Sequence, residues 1–390
     1  MKKQKLKILM VHPHDIYSSN EPWTIRVREI AKQFVKKGHV VKLVYFPLPK
    51  KIRGKIISKC NEFETIPFNR HWWKIFTNIL RMNKIAKWAD IIHFQKCFTN
   101  ASIPAIFASV FQNKPIHYDW DDWEYGIYNY SSPSKFYGTY LNFLEKTIPK
   151  VVDSISCASD ELITMTKNLG FKEKIVKSNI CVNMDTFNDK NFDKNLLNEI
   201  IKKYNINFPT VGYLGQLHGA QYAYLLLEAS KNIVLKYPDA KIIFVGGGSE
   251  QYRLEKKIKE YKLEKNVIIT GLIKHDIVPY YLNLIDIAVA CFEDTKQVRC
   301  KSPLKIGEYM ASGRAIVASD VGEVPWMIGD AGILTKAGDV KSLEIEILNL
   351  LKDEKLREKI GKNAKDRAKE QFSWSKTSDK ILSCYESILK

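Results

Sequence analysis

Three cations and one carboxylate fall within ten residues in the segment RCKSPLKIGE, residues 299–308. Ser302 suits a helix N-cap and Pro303 the first helical position, where a missing N–H costs nothing. Gly313 suits the left-handed residue that stops a helix. The spacing therefore predicts a helix over 303–312. Its start is electrostatically odd. A helix N-terminus carries roughly half a positive charge and favours acids, yet Arg299, Lys301 and Lys305 crowd this one. An external anion resolves the conflict. The backbone around Ser302, Pro303 and Leu304, together with the three cations, makes a phosphate site. Glu308 lies roughly 7–8 Å further along the axis at about 1.5 Å per residue. Its carboxylate then falls where the ribose of a bound nucleoside diphosphate would lie. The competing reading is a solvated helix with scattered charges.

A second group with chemical potential is DWDD, residues 119–122. Two carboxylates at i and i+2 after a strand can hold a divalent cation on a diphosphate. Trp120 and Trp123 beside them offer flat apolar faces. His12 and His14 follow the first strand, and Trp23 lies just beyond. Between them, these residues can bind and orient a polar substrate.

The elements that must position these residues alternate. Strands are expected at 6–11, 40–46, 91–94, 115–120 and 154–159, with helices at 24–37, 102–112 and 134–148 between them. The pattern restarts at 208–215, with further strands at 241–248, 267–271, 287–292 and 315–319. Such alternation implies α/β architecture, with parallel sheets covered by helices on both faces. The polar stretch NDKNFDKN, 188–195, reads as the linker. It gives a first domain over 1–188 and a second over 189–370. Open α/β sheets bind ligands at the carboxyl ends of their strands, where 299–308 falls.

The second half resembles the nucleotide-sugar domain of the retaining glycosyltransferases of family 4. The string SPLKIGEYMASGRAIVASDVGEVP resembles that family's donor segment, and GYLGQLHGAQYAYLLLEA (212–229) its glycine-containing first turn. REIAKQFVKKGHVVKLV (28–44) and KPIHYDWDD (114–122) match in the first half. FSWSKTSDKILSCYESIL (372–389) is similar to the closing helix that crosses back to complete the first domain over 371–390.

The resemblance implies the GT-B fold, two Rossmann-like domains whose parallel sheets face each other across a cleft. It further implies an enzyme that moves a sugar from a UDP- or GDP-sugar to a hydroxyl of a glycan acceptor, lipid-linked, in cell-surface polysaccharide, glycolipid or protein-glycan assembly. No cofactor and no metal are implied. The donor would be held by Glu308, Ser302, Pro303, Leu304, Lys301, Arg299, Gly215, Gln216, His218, Gly219, Gly247 and Glu293. Asp121, Asp122 and Lys305 would take the catalytic roles. His12, His14, Trp23, Trp120 and Trp123 would meet the acceptor. The sequence departs from the family's pattern in places. The family has two glutamates separated by seven residues, which puts the first at Cys300. Its arginine and lysine after the glycine fall on Gln216 and Gln221.

Composition bounds the remaining classes. Of the formal net charge of +18, +13 falls in residues 1–185. Nucleic acid would suit such a balance, but no helix-turn-helix, RNP or zinc motif is present, and a nucleic-acid partner is not expected. RHWWKIFTNILRMNKIAKW (70–88) reads as a basic aromatic helix, preceded by KKIRGKIISK (50–59). An anionic membrane surface is the expected partner of such an element; the alternative is a helix packed on its own sheet. Seven scattered cysteines without CxxC, and no apolar run long enough to span a bilayer, suggest a cytoplasmic protein working at the inner membrane face. A sugar-nucleotide epimerase on the same fold is the alternative enzyme.

Overall fold

The computed structural model describes residues 5–18, 21–54, 60–131, 134–187, 192–206, 209–219 and 222–389. The chain forms two compact units. One comprises Met1–Ile180, Cys300–Ser302 and Trp374–Lys390; the other comprises Cys181–Arg299 and Pro303–Ser373. The sequence places the boundary in the polar stretch from 188, of which 188–191 lie outside the described residues.

The first unit holds a seven-stranded parallel sheet. Its strands are β1 (Lys7–Val11), β2 (Val40–Tyr45), β3 (Glu64–Pro67), β4 (Ile91–Gln95), β5 (Ile116–Trp120), β6 (Ser154–Cys157) and β7 (Lys174–Lys177), in the order β3-β2-β1-β4-β5-β6-β7. The second unit holds six parallel strands: β8 (Thr210–Leu214), β9 (Lys241–Val245), β10 (Val267–Ile269), β11 (Ile287–Ala290), β12 (Ala315–Asp320) and β13 (Ile333–Lys336), ordered β10-β9-β8-β11-β12-β13. Both sheets are doubly wound. The first reverses at β1 and the second at β8, the switch points where such sheets bind ligands.

The central strands β4, β5, β6, β8 and β11 are buried along their whole length. Helices on both faces leave no solvated side, and the polar residues of β4, β5 and β6 (His93, Gln95, His117, Asp119, Ser154 and Ser156) are buried as well.

The first-unit helices used below are α1 (Ile25–Lys36), α2 (Ile75–Ala86), α3 (Thr99–Gln112), α4 (Glu124–Ser131) and α5 (Lys135–Thr147). Gly38, at φ 91°, closes the turn after α1, as glycine allows. Met82 and Ala86 of α2, Ala101, Ala105 and Ala108 of α3, and Leu141 and Leu144 of α5 share one core with Leu9, Phe94, Tyr118 and Trp120. The closing helix Trp374–Ile388 lies in the first unit. There the Tyr385 hydroxyl lies 2.6 Å from His93 Nδ1, and Lys37 pairs with Asp379 at 3.0 Å.

Candidate active site

In the second unit the helix that carries Lys305 and Glu308 runs Leu304–Ala311. Pro303, not Ser302, occupies its N-cap, and no side chain caps it. The Ser302 hydroxyl is used elsewhere: it accepts from the Ile180 N–H at 3.1 Å. The expected serine cap is thus absent. The helix is anchored by Tyr309, whose hydroxyl accepts from Leu214 N–H at 2.7 Å and donates to the Val289 carbonyl at 3.1 Å. One buried phenol therefore ties the helix to β8 and β11, with Glu308 and Lys305 alongside.

The three cations of the helix start separate. Arg299 pairs with Asp294 at 2.8 Å. Lys301 groups with the first unit, where burial lowers its pKa and the carboxylates of Asp122 and Glu124 oppose that shift. Lys305 alone of the three turns toward the β8 end. Its ammonium lies 3.9 Å from the Tyr213 ring centroid and would stand 3.1 Å from a Cβ placed on Gly215. Arg299 is therefore an acid-paired residue, not an uncompensated cation.

Gly215 ends β8 at φ 140°, a conformation suited to glycine. A Cβ on Gly246 would lie 2.0 Å from the Gly215 carbonyl oxygen. Leu217 N–H donates to the Gly247 carbonyl at 3.0 Å. The glycines bring two strand-end turns into backbone contact beside the Lys305 ammonium. Gln216 and Gly219 are exposed in the same turn and His218 is half-buried; Gln221 lies outside the described residues.

Glu308 is buried, and its Oε1 lies 3.2 Å from His275 Nε2. His275, in the loop after β10, was not among the expected site residues; nothing in its local sequence marks it. Glu293 accepts from the Tyr224 hydroxyl. Cys300 is fully buried, its Sγ 3.7 Å from Met165 Sδ. A buried thiol donating to a thioether occupies the position of the missing glutamate.

In the first unit, carboxylates gather at the ends of β4 and β5. Lys96 has a left-handed backbone at φ 67° and is almost fully buried. Its ammonium meets Asp121 at 3.3 Å, Asp122 at 3.8 Å and Glu124 at 2.5 Å. Gln95 donates to the other Asp121 oxygen at 2.7 Å. Burial pushes the Asp121 carboxyl upward; Lys96 opposes this, and Asp122 adds to it. A strained lysine among three acids is the kind of arrangement that clusters at functional sites.

Asp119, the first acid of DWDD, is buried in a bidentate pair with Arg26 at 2.8 and 2.7 Å, and Ser156 donates to it at 2.5 Å. A carboxylate so occupied does not fit the DxD metal reading. Among the described residues no group of three His, Cys, Asp or Glu side chains has metal-binding geometry. Trp120 is a core residue, its indole N–H donating to Glu145 at 3.3 Å. The expectation that it meets a substrate is corrected: the side chain points into the helix layer. Trp123 is half-buried against the same core.

Around the β1 end, His12 is fully buried, and that burial holds its pKa well below the ordinary imidazole value. His14 gives Nδ1 to Glu21 at 2.9 Å, and its ring meets the half-exposed Trp23 edge-on at 5.5 Å. Burial lowers the His14 pKa, so the ring is neutral near pH 7 and Nε2 keeps its lone pair. Glu21 is also clamped by Arg70 at 2.7 Å. Burial alone would raise the Glu21 pKa, but hydrogen bonds from His14 and Arg70 hold it at about 2.

Residues 198–367 match the sequence family described as Glycosyl transferases group 1. N-acetyl-alpha-D-glucosaminyl L-malate synthase of Bacillus anthracis is 32% identical over 165 residues, 42% of this chain and 40% of that protein. The capsular polysaccharide biosynthesis glycosyltransferase CapM of Staphylococcus aureus is 26% identical over 251 residues, 60% of this chain and 63% of that one. The chain thus spans less than two thirds of the length of either relative. Among solved structures, Anabaena HepE in complex with UDP-glucose superposes with a TM-score of 0.73 at 17% identity, covering 98% of this chain and 100% of that one.

Proposed function

Residues 198–367 belong to the glycosyl transferases group 1 family, on a chain of GT-B fold, and from that premise we propose that the protein is a retaining glycosyltransferase that uses a UDP- or GDP-sugar. The observation that carries the reading is the uncapped start of the Leu304–Ala311 helix, with the Lys305 ammonium over the Gly215 turn and Glu308 one turn further on. Backbone N–H groups and one lysine make a diphosphate site. A buried carboxylate at that spacing accepts from ribose hydroxyls.

The leaving diphosphate gains negative charge as the glycosidic bond breaks. A cation fixed in a low-dielectric site stabilises that charge more in the transition state than in the ground state. Lys305, held against Tyr213, fills this role. The acceptor is a glycan hydroxyl, lipid-linked, held by the first unit through His14 and Trp23, with Asp121 and Asp122 orienting the reacting sugar. The enzyme works in the cytoplasm.

A thermal-shift screen of UDP, GDP, ADP and their sugars tests the donor assignment, because a true ligand raises the melting temperature by mass action. UDP or GDP is expected to stabilise wild-type protein and to lose that effect in Glu308→Gln. Stabilisation by none of the nucleotides overturns the reading.

A further inference from the structure

We propose that α2, α3 and α5 together form a docking platform for an anionic lipid bilayer, laid on one face of the first unit's sheet. All three helices bury residues in the same core cluster, which contains no residue of α1. The topology explains this: the connections β3 to β4, β4 to β5 and β5 to β6 all run the same way across the sheet. Right-handed crossovers therefore put their helices on one face.

Each helix also carries large apolar side chains on its outer side. Trp72, just before α2, Phe76 and Leu80 of α2, Val110 and Phe111 of α3, and Phe136 of α5 are between 60% and 87% exposed. Trp72, Phe76 and Leu80 recur every fourth residue and so form one line along a helix. The inner faces are already packed through Met82, Ala86, Ala105, Ala108 and Leu141. The outer groups add nothing to that core, and large apolar side chains exposed on three helices of one face mark an interaction site.

Charge identifies the occupant. Lys74, Lys84, Lys87, Lys135 and Lys146 are exposed on or beside these helices. The only acid in the three helices is Glu145, which is buried. Three helices with exposed lysines and no exposed carboxylate repel a second copy of themselves and attract phosphate headgroups. Aromatic rings at headgroup depth, with lysines reaching to the phosphates, are the chemistry of a bilayer surface. No helix among the described residues is long and apolar enough to cross a membrane.

The test is flotation with vesicles of phosphatidylcholine alone or mixed with phosphatidylglycerol. The full chain is expected to bind the mixed vesicles, to release as salt rises, and to bind the neutral ones at least tenfold less. The variant Trp72→Ser/Phe76→Ser/Phe111→Ser should lose at least tenfold in binding while its melting temperature and nucleotide-induced thermal shift stay at wild-type values. The nucleotide shift reads the donor site by itself, so failure here and failure of the donor assignment are distinguishable. Equal binding to neutral vesicles, wild-type binding by the triple variant, or a solution dimer that the triple variant dissolves each overturns the proposal.

Discussion

The Lys96 ammonium lies 3.3 Å from an Asp121 carboxylate oxygen, and Lys96 reaches it from a left-handed backbone at φ 67°. The same ammonium serves Asp122 and Glu124. A single side chain thus balances three acids at the carboxyl end of the sheet. Removing it leaves them to repel one another in a buried site, a loss of about 3–5 kcal/mol for a broken buried pair. Lys96→Met is expected to lower the melting temperature and to shift the acid limb of the activity–pH profile upward. The sign follows from Lys96 holding the Asp121 pKa down against burial. Lys96→Arg should restore part of both. An unchanged profile in a folded Lys96→Met protein would show that Asp121 ionisation has no part in turnover.

Glu308→Gln is expected to weaken nucleotide binding at least tenfold, with the fold intact. A carboxylate accepting ribose hydroxyls contributes about 1.5–3 kcal/mol. The amide still reaches His275, which lies 3.2 Å from Oε1 in the wild-type protein, so stability should hold. Calorimetric titration with UDP and GDP measures the loss; wild-type affinity refutes the role.

Lys305 is buried against Tyr213. Lys305→Ala therefore removes packing as well as charge and should lower the melting temperature. Lys305→Met keeps most of the stem. It is expected to cut turnover at least tenfold, lowering kcat as well as affinity, while the melting temperature without nucleotide stays near wild type. Arg299→Ala should do far less, since Arg299 already answers Asp294.

Chelation with EDTA is expected to leave transfer unchanged. Asp119→Asn should destabilise the protein by breaking the buried pair with Arg26, and manganese should not rescue it. Loss of activity to EDTA, restored by manganese, would reinstate the metal reading of DWDD.

Glu21 makes acid stability specific. Its folded pKa of about 2 lies below its ordinary value of 4.5. The clamp's contribution is thus fully present above about pH 4.5 and is lost as pH falls toward 2. That difference corresponds to roughly 3 kcal/mol. Urea unfolding should find Glu21→Gln less stable than wild type at pH 6, with the gap closing as pH falls through this window. A gap independent of pH contradicts the clamp.

The sequence by itself determined the alternation of strands and helices, and with it two doubly wound sheets. Apolar runs bounded by Gly38 and Gly313 carry that information locally, because strand and helix periodicities and glycine's left-handed turns act over a few residues. It also located the helix of Glu308 to within a residue at each end. The short elements Glu64–Pro67, Lys174–Lys177 and Ile333–Lys336 escaped it: four residues show too little pattern, and neighbouring strands stabilise them. Only the tertiary structure decided how the charges are paired. Arg26 and Asp119 are 93 residues apart, and no local signal joins them. Arg299 and Lys301 look like partners of Lys305 in sequence, yet each meets acids of its own. Trp120 sits beside three carboxylates and reads as a surface aromatic. It is core because β5, IHYDW, alternates: Trp120 shares the face of Ile116 and Tyr118 in the hydrophobic core, while His117 and Asp119 face a buried polar network, and the three neighbouring carboxylates masked that phase. Electrostatic pairing and side-chain direction depend on which segments the fold brings within a few ångströms, and that is set by packing across the whole unit.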